Sequence, residues 1–422
     1  MPSKRPDLTP ARDKSSVAPA RHPPPDTRRP PSDRMLDAEV IERAFGEPIE
    51  RILDPASWST DPDLGGLYRR LDQEIADAVH LEGQVLPRVR ELVLPALRKR
   101  AGAPPGGGVY QVSTDHLARI HRGLLFTGAV EACDGTSQSH DTLPLTIADL
   151  GVGLVGYRGD RGTWMQRLFR RDLRFSGDDP IEEALTLLDA RTRRGGFEQD
   201  STRDQLSEFS RRGIMTYAER AILTDRSNAL WRMGHGQPAP LELLIHSNSV
   251  EFLRASLTIL RRLILDLQKF VFVPSAPADR RLLTIGQALH PLEFAIVDTM
   301  EESWDRIVES GHHYTGIYHD LAADFVREVG PLVVVGVYRA SAAAPAQAFY
   351  AHVDHAAEAA LIAMADSTLQ EHRGFPMLID LADQICRVNF GTEVFNSAIQ
   401  SAYAAAGEPT RYLAERRSRY RA

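Results

Sequence analysis

The chain of 422 residues has two cysteines, Cys133 and Cys386. They lie far apart and outside any metal-type spacing, which excludes a disulfide-stapled secreted scaffold and a cysteine zinc framework. A reducing, cytoplasmic setting is the simple expectation. Lysine is nearly absent, with four residues against 46 arginines. None of the four follows glycine in a Walker pattern, so the chain brings no P-loop of its own. No apolar core follows Lys4 and Arg5, so no secretory signal is expected. The longest apolar stretch, Leu253–Val273, carries Arg254, Arg261, Arg262, Asp266 and Lys269 and is unfit to span a bilayer. Gly-x-Ser-x-Gly is missing, which removes a nucleophile-elbow hydrolase.

What is present is ordinary in bulk and uneven in charge. The hydrophobic fraction is 43% and the charged fraction 25%, enough for a sizeable core. The formal net charge is −7, which argues against a globally cationic duplex-DNA binder. Residues 1–34 nevertheless carry a net +4 and nine prolines, and residues 411–422 another +4, leaving −15 for the body. The first 34 residues read as a disordered, Pro/Arg-rich tail, and the last twelve as a basic tail with Tyr412 and Tyr420 among arginines. Residues 35–102 read as a helical N-terminal region from their apolar spacing of three and four. Ala103–Gly108 is the clearest internal breaker, and residues 109–410 read as one α/β domain in which strands and helices mix.

Within that domain, Ala129–Cys133, Leu145–Tyr157, Phe270–Pro274, Leu332–Tyr338 and Phe349–Val353 have the texture of strands. Leu241–His246 reads as a short strand before a helix from Val250 to Gln268. Helices are expected over Met165–Arg174, Ile181–Thr192, Gln205–Leu230 and the residues after Gly374-Phe375-Pro376.

Few motifs carry chemistry. Gly151-Val-Gly153-Leu-Val-Gly156 has the dinucleotide spacing but sits inside an apolar strand, so close packing is the better reading. His352-x-Asp354-His355 and His312-His313 with His319-Asp320 match no zinc framework and read as hydrogen-bonded or surface histidines. On a helix, Arg167, Arg170, Arg171 and Arg174 form one basic stripe, either a solvated face or a face that tracks a sugar–phosphate backbone. Asp134-Gly135-Thr136, at the end of a buried strand, is either a turn or a rigid carboxylate platform of the kind a two-metal nuclease needs.

The order of these segments resembles a NurA-type nuclease domain over roughly residues 125–405. Ala129–Thr136, ending in Asp134-Gly135-Thr136, is similar to the family's opening strand, and Ile147–Tyr157 to its second. Ser210–Leu223 resembles the helix that bears a glutamate, here Glu219. Gly374-Phe375-Pro376 through Asp383 has the shape of the late Gly-Tyr-Pro motif. The resemblance implies an α/β, RNase H-like mixed sheet with flanking helices and a homodimer. It implies Mn²⁺ (or Mg²⁺)-dependent cleavage of DNA beside a HerA-type hexameric ATPase, in DNA end processing, repair or phage defence. Asp134, Glu219 and Asp383 carry over as catalytic metal ligands, with His246 as a fourth and the arginine stripe as the nucleic-acid contact. Two positions depart from the pattern. The family's strand-end Asp-Gly falls at His246-Ser247, for which Glu242 or Glu251 stand as compensating acids, and its late histidine falls at Asp383. Fewer anionic ligands weaken metal binding, so a scaffold subunit that docks on the ATPase and binds DNA without cutting is the competing expectation.

Overall fold

In a computed structural model, residue 42 and residues 45–58, 64–141, 145–158, 163–172, 208–245, 249–276, 279–310 and 316–408 are described. The chain divides into two units, one of the described residues up to Val85 and one from Leu86 onward. The first is helical. Its principal element, α1 (Leu64–Leu92, continuing into the second unit), leaves Tyr68, Leu71, Ile75 and Val79 exposed along one flank.

Among the described residues, the second unit is built on a nine-stranded mixed sheet. In chain order its strands are β1 (Gly108–Gln111), β2 (Val130–Asp141), β3 (Leu145–Val155), β4 (Thr163–Asp172), β5 (Trp231–His235), β6 (Phe270–Val273), β7 (Glu293–Thr299), β8 (Val333–Arg339) and β9 (Gln347–His352). Across the sheet the order is β1-β7-β8-β9-β6-β5-β2-β3-β4. One half is an antiparallel meander, β2-β3-β4, continued through parallel β5 and β6. This is the expected α/β class, with the mixed sheet expected of an RNase H-like core.

Helices cover both faces, as the near-continuous apolar runs of β6, β8 and β9 require. One apolar layer packs Cys133, Val152 and Phe272 against Leu223 of α2 (Glu208–Asp225) and Leu253, Leu257 and Leu260 of α3 (Val250–Arg261). The other packs Ala132, Met233, Val271 and Phe349 against α4 (Ala356–Ser367) and Leu378, Ile379 and Ala382 of α5 (Met377–Phe390). A last helix, α6 (Thr392–Ala405), follows directly.

The Gly151 and Gly153 spacing serves this second layer. A Cβ at Gly151 would stand 2.0 Å from the Phe390 ring, and one at Gly153 would stand 3.2 Å from both the Ala382 carbonyl and Cys386 Sγ. Both glycines lie inside β3, opposite Thr136 and Asp134 of β2. They bare the sheet so that α5 settles against it, and no strand-to-helix turn of a dinucleotide site is present there.

Two sequence expectations fail here. Met165–Arg174 is not a helix, because residues 163–172 are β4, paired with β3 over ten consecutive positions. Arg167, Arg170 and Arg171 stand opposite Leu150, Ile147 and Thr146. Strand parity divides positions 167 and 171 from 170, so the single helical stripe does not form, and Arg174 lies outside the described residues. Spacing of three and four is a local signal, and pairing with a neighbouring strand overrides it. Leu241–Leu244 is likewise a helical turn, not a strand. The Ile181–Thr192 helix, the two tails and His312-His313 fall outside the described residues.

The glycine seam is testable by unfolding. Gly151→Ala drives a methyl into the Phe390 ring and should destabilise the domain by about 1–3 kcal/mol in urea. Gly83→Ala, whose added Cβ meets nothing, should stabilise α1 by roughly 0.5–1 kcal/mol. Equal behaviour of the two would refute the packing argument.

Candidate active site

The site forms where one strand stops and its neighbour continues. β5 runs parallel to β2 only from Trp231 to Gly234, opposite Val130 to Cys133. It ends at His235, and the chain turns away at Gly236, which holds φ +82°. β2 goes on to Asp141 against β3 alone. A notch therefore opens beside β2 immediately after Cys133, at Asp134.

Three ionisable side chains meet at this notch. Asp134 is buried, and its Oδ1 accepts the Gly135 N–H at 2.9 Å. His235 Nδ1 stands 3.3 Å from the same oxygen. Glu219 comes from α2 on the other face. It passes over the bare Cα of Gly135, where an added Cβ would be 2.6 Å from Glu219 Oε1 and 2.9 Å from Met215 Cγ. By strand alternation Asp134 shares the α5 face with Thr136 and Gln138, whereas Gly135 faces α2. The two carboxylates thus approach the notch from opposite faces. The glycine that reads as half of a turn dipeptide is the clearance for the second acid.

Arg220 builds the wall. It is 1% exposed, and its guanidinium donates to Glu219 Oε2 at 2.6 Å, to the carbonyls of His235 and Gln237 at 3.1 and 2.6 Å, and to that of Pro238 at 3.2 Å. It also lies 4.6 Å from the centre of the Phe272 ring, which itself covers Gly234. One buried cation therefore fixes both Glu219 and the turn after His235. A buried arginine with this many acceptors is well satisfied, and removing it would strand several carbonyls and a carboxylate.

The electrostatics follow from this crowding. Burial raises the Glu219 pKa, Arg220 opposes the rise, Asp134 adds to it, and the net value is about 7. Burial disfavours the charged imidazole of His235, but its bond to Asp134 and the nearby carboxylates outweigh that and hold its pKa above the ordinary value. Burial, Asp134, Glu219 and Asp383 together push the Cys386 thiol up to about 12. All three acids singled out in the sequence therefore act on one thiol.

Asp383 reaches this neighbourhood on α5, one turn before Arg387, to which it is paired at 2.7 Å. The Cys386 thiol donates to the Asp134 carbonyl at 3.3 Å, tying the same helix to β2. The start of α5 is held by Asp366, whose carboxylate accepts the Leu378 N–H at 2.8 Å and the Tyr157 hydroxyl at 2.5 Å. Burial raises Asp366 to about 6 against the opposing pull of these bonds.

His246 lies outside the described residues. Glu242 is paired with Arg212 at 3.0 Å, and Glu251 is exposed and accepts from Ser249. The strand whose end adjoins Asp134 is β5, so the residue there is His235 followed by Gly236. Sequence reasoning missed it. The available signal was a short run led by tryptophan and closed by His-Gly, an echo of Asp134-Gly135. Among the described residues, no three His, Cys, Asp or Glu side chains converge as a finished metal cage. The donor set still suits a hard divalent cation: two buried carboxylates with an imidazole in reach, and a glycine cradle that lets the second carboxylate in.

The raised Glu219 pKa sets a pH dependence for the metal-free protein. The folded state holds this proton more tightly than the unfolded chain, whose glutamate titrates near 4.5. The contribution to stability is fully present below pH 4.5 and is lost as pH rises through about 7. Wild type should therefore lose stability relative to Glu219→Gln over that window, on the order of a few kcal/mol, in chemical denaturation with chelator present. Parallel pH profiles would contradict it.

No protein-family model matches the chain, and no curated protein matches it. Among solved structures it is similar to the NurA nuclease from Sulfolobus solfataricus, at 11% identity over 66% of this chain and 84% of that one, with a TM-score of 0.37. A NurA structure with manganese is similar at 7% identity over 69% and 95% of the two chains, with a TM-score of 0.34. A NurA bound to dAMP and manganese is similar at 8% identity over 73% and 94%, with a TM-score of 0.32. These are likenesses of fold.

Proposed function

We propose that the protein is a divalent-metal-dependent DNA nuclease that hydrolyses phosphodiester bonds at the β2–β5 notch. The observation that carries this reading is the meeting of two buried carboxylates, Asp134 and Glu219, with His235 beside them. Burying like charges together is costly, and a bound cation is the chemistry that offsets it. Asp134 and Glu219 are the ligands proposed for Mn²⁺ or Mg²⁺, with Asp383 completing the set, His235 positioning Asp134, and His246 kept only as the sequence's own candidate.

When bound, such a cation supplies a water of lowered pKa and Lewis acidity toward the phosphodiester. The chain's residues do the rest. Arg220 and the Gly135 N–H orient the carboxylate oxygens before substrate arrives, and Phe272 shields the guanidinium from water. The Asp134 carboxylate accepts from His235 Nδ1, and Nε2 accepts the Ser275 N–H at 3.3 Å, so the ring is held from both sides in one tautomer and positions the carboxylate. As the sequence resemblance implies, we further propose that the protein works as a homodimer beside a HerA-type hexameric ATPase, in DNA end processing, repair or phage defence. An acidic body suits DNA delivered by a separate machine.

The competing reading, a scaffold subunit that contacts the ATPase and DNA without cutting, is favoured by Arg220, which already neutralises one oxygen of Glu219. Cleavage of labelled single- and double-stranded DNA in Mn²⁺, with the ATPase added, separates the two. Asp134→Asn and Glu219→Gln should each lower the rate by more than the about 10–100-fold that loss of an outer-shell partner costs. Wild type without cleavage would establish the scaffold, and cleavage that survives Asp134→Asn would overturn the site.

A further inference from the structure

The helix α5 starts without a cap of its own. Pro376 precedes its first residue and offers no side-chain acceptor, so the N–H groups of its first turn need a partner from elsewhere. That partner is Asp366, in the last turn of α4. Its carboxylate accepts the Leu378 N–H at 2.8 Å on one oxygen and the Tyr157 hydroxyl at 2.5 Å on the other. The helix held in this way carries Asp383, proposed as a ligand at the notch, and Cys386, which meets the Asp134 carbonyl.

Asp366 is fully buried, and among the described residues no cation is bonded to it. Around it stand Tyr157 after β3 and Tyr338 on β8, whose hydroxyl lies 2.8 Å from Ser367 Oγ. His121 places Nε2 2.8 Å from the Ala365 carbonyl, and Arg119 just before it is exposed. Arg373 and Asp380 pair with each other at 2.8 Å beside the start of α5, and Glu358 and the histidines before it open α4 at its far end. Burial raises the Asp366 carboxyl from 3.8 to about 6, and only its hydrogen bonds oppose the rise.

We propose that Asp366 is a positioning residue for the notch: it seats α5, α5 sets Asp383, and the ionisation of Asp366 sets how readily α5 lifts. The inference rests on the reading of Asp383 as a cation ligand and adds the group that governs its placement. Lifting α5 removes the Leu378 N–H and lets water reach the carboxylate, which then titrates at its ordinary 3.8. The seated state thus holds the proton more tightly. The hold on α5 is fullest below pH 3.8 and weakens as pH rises through about 6. Across that window the lifted fraction should rise about 100-fold. Tyr157 donates to the ionised form and so keeps the carboxyl below the value burial alone would set.

The test is hydrogen exchange of the α5 amides in the full chain with EDTA, from about pH 4 to 8, corrected for the intrinsic rate at each pH. A Glu219→Gln background removes the other raised carboxyl from the comparison. The opening constant of α5 should climb with pH, and Asp366→Asn should flatten the climb. Tyr157→Phe should move its midpoint to higher pH, because the ionised carboxylate loses a donor; a residue that only caps a helix would leave the midpoint in place. In the otherwise wild-type chain, Mn²⁺ binding near neutral pH is read from the electron paramagnetic resonance of the free ion. Asp366→Ala should weaken it about 10-fold, and no further once Asp383→Ala is present. A wild type that binds no Mn²⁺ would defeat the notch reading, and exchange alone then decides the hold on α5. An unchanged pH course in Asp366→Asn, an unmoved midpoint in Tyr157→Phe, or equal loss of Mn²⁺ with and without Asp383 would sink the proposal.

Discussion

The close approach of α5 to β3 is the constraint on which the candidate site depends. Bare positions at Gly151 and Gly153 let a helix lie against the sheet closely enough for Cys386 to reach the Asp134 carbonyl. The same contact sets where Asp383 and Arg387 stand. Asp366 and Tyr157 then fix the start of that helix by a buried carboxylate that serves as cap and acceptor at once. Side chains supply the chemistry, but two missing side chains decide its geometry.

The opposite face solves a different problem. Glu219 must be buried near Asp134, and two carboxylates in a low-dielectric place repel each other and resist ionisation. Arg220 answers part of that cost while bonding three backbone carbonyls of the turn that carries His235. Among the acids the Arg220 guanidinium bonds Glu219, whereas Asp134 is held by the Gly135 N–H and His235. On the proposed reading, a bound cation would offset the part of this cost that Arg220 leaves.

Much of the fold was legible in the sequence. β3 is a long apolar run, and Asp134 stood out because it closes the short apolar run Ala129–Cys133, although β2 itself continues past it to Asp141. Glu219 came only from the resemblance of Ser210–Leu223 to the NurA-type helix. The packing role of Gly151 and Gly153 also followed from their place inside a strand. What escaped the sequence was non-local. β4 carries arginines at helical spacing, and only its partner β3 makes it a strand. β5 is five residues long, with an arginine and a glycine inside it, too short and too broken to show a period. Since β5 sets the edge of the notch, His235 went unseen with it, and the strand-end role was assigned to His246, beyond a segment that is helical at Leu241–Leu244.

The two thiols give the molecule a built-in clock. Cys133 and Cys386 sit on opposite faces of the sheet beside the same acids, and burial with those charges holds both far from the thiolate form. Neither can react with an alkylating agent while α5 and α2 are seated, because the thiolate is the reacting species. Their modification therefore measures how often each helix lifts from the sheet. Two rates, one for each thiol, would distinguish a site that opens from the Asp383 side alone from one that opens only when the whole sheet comes apart.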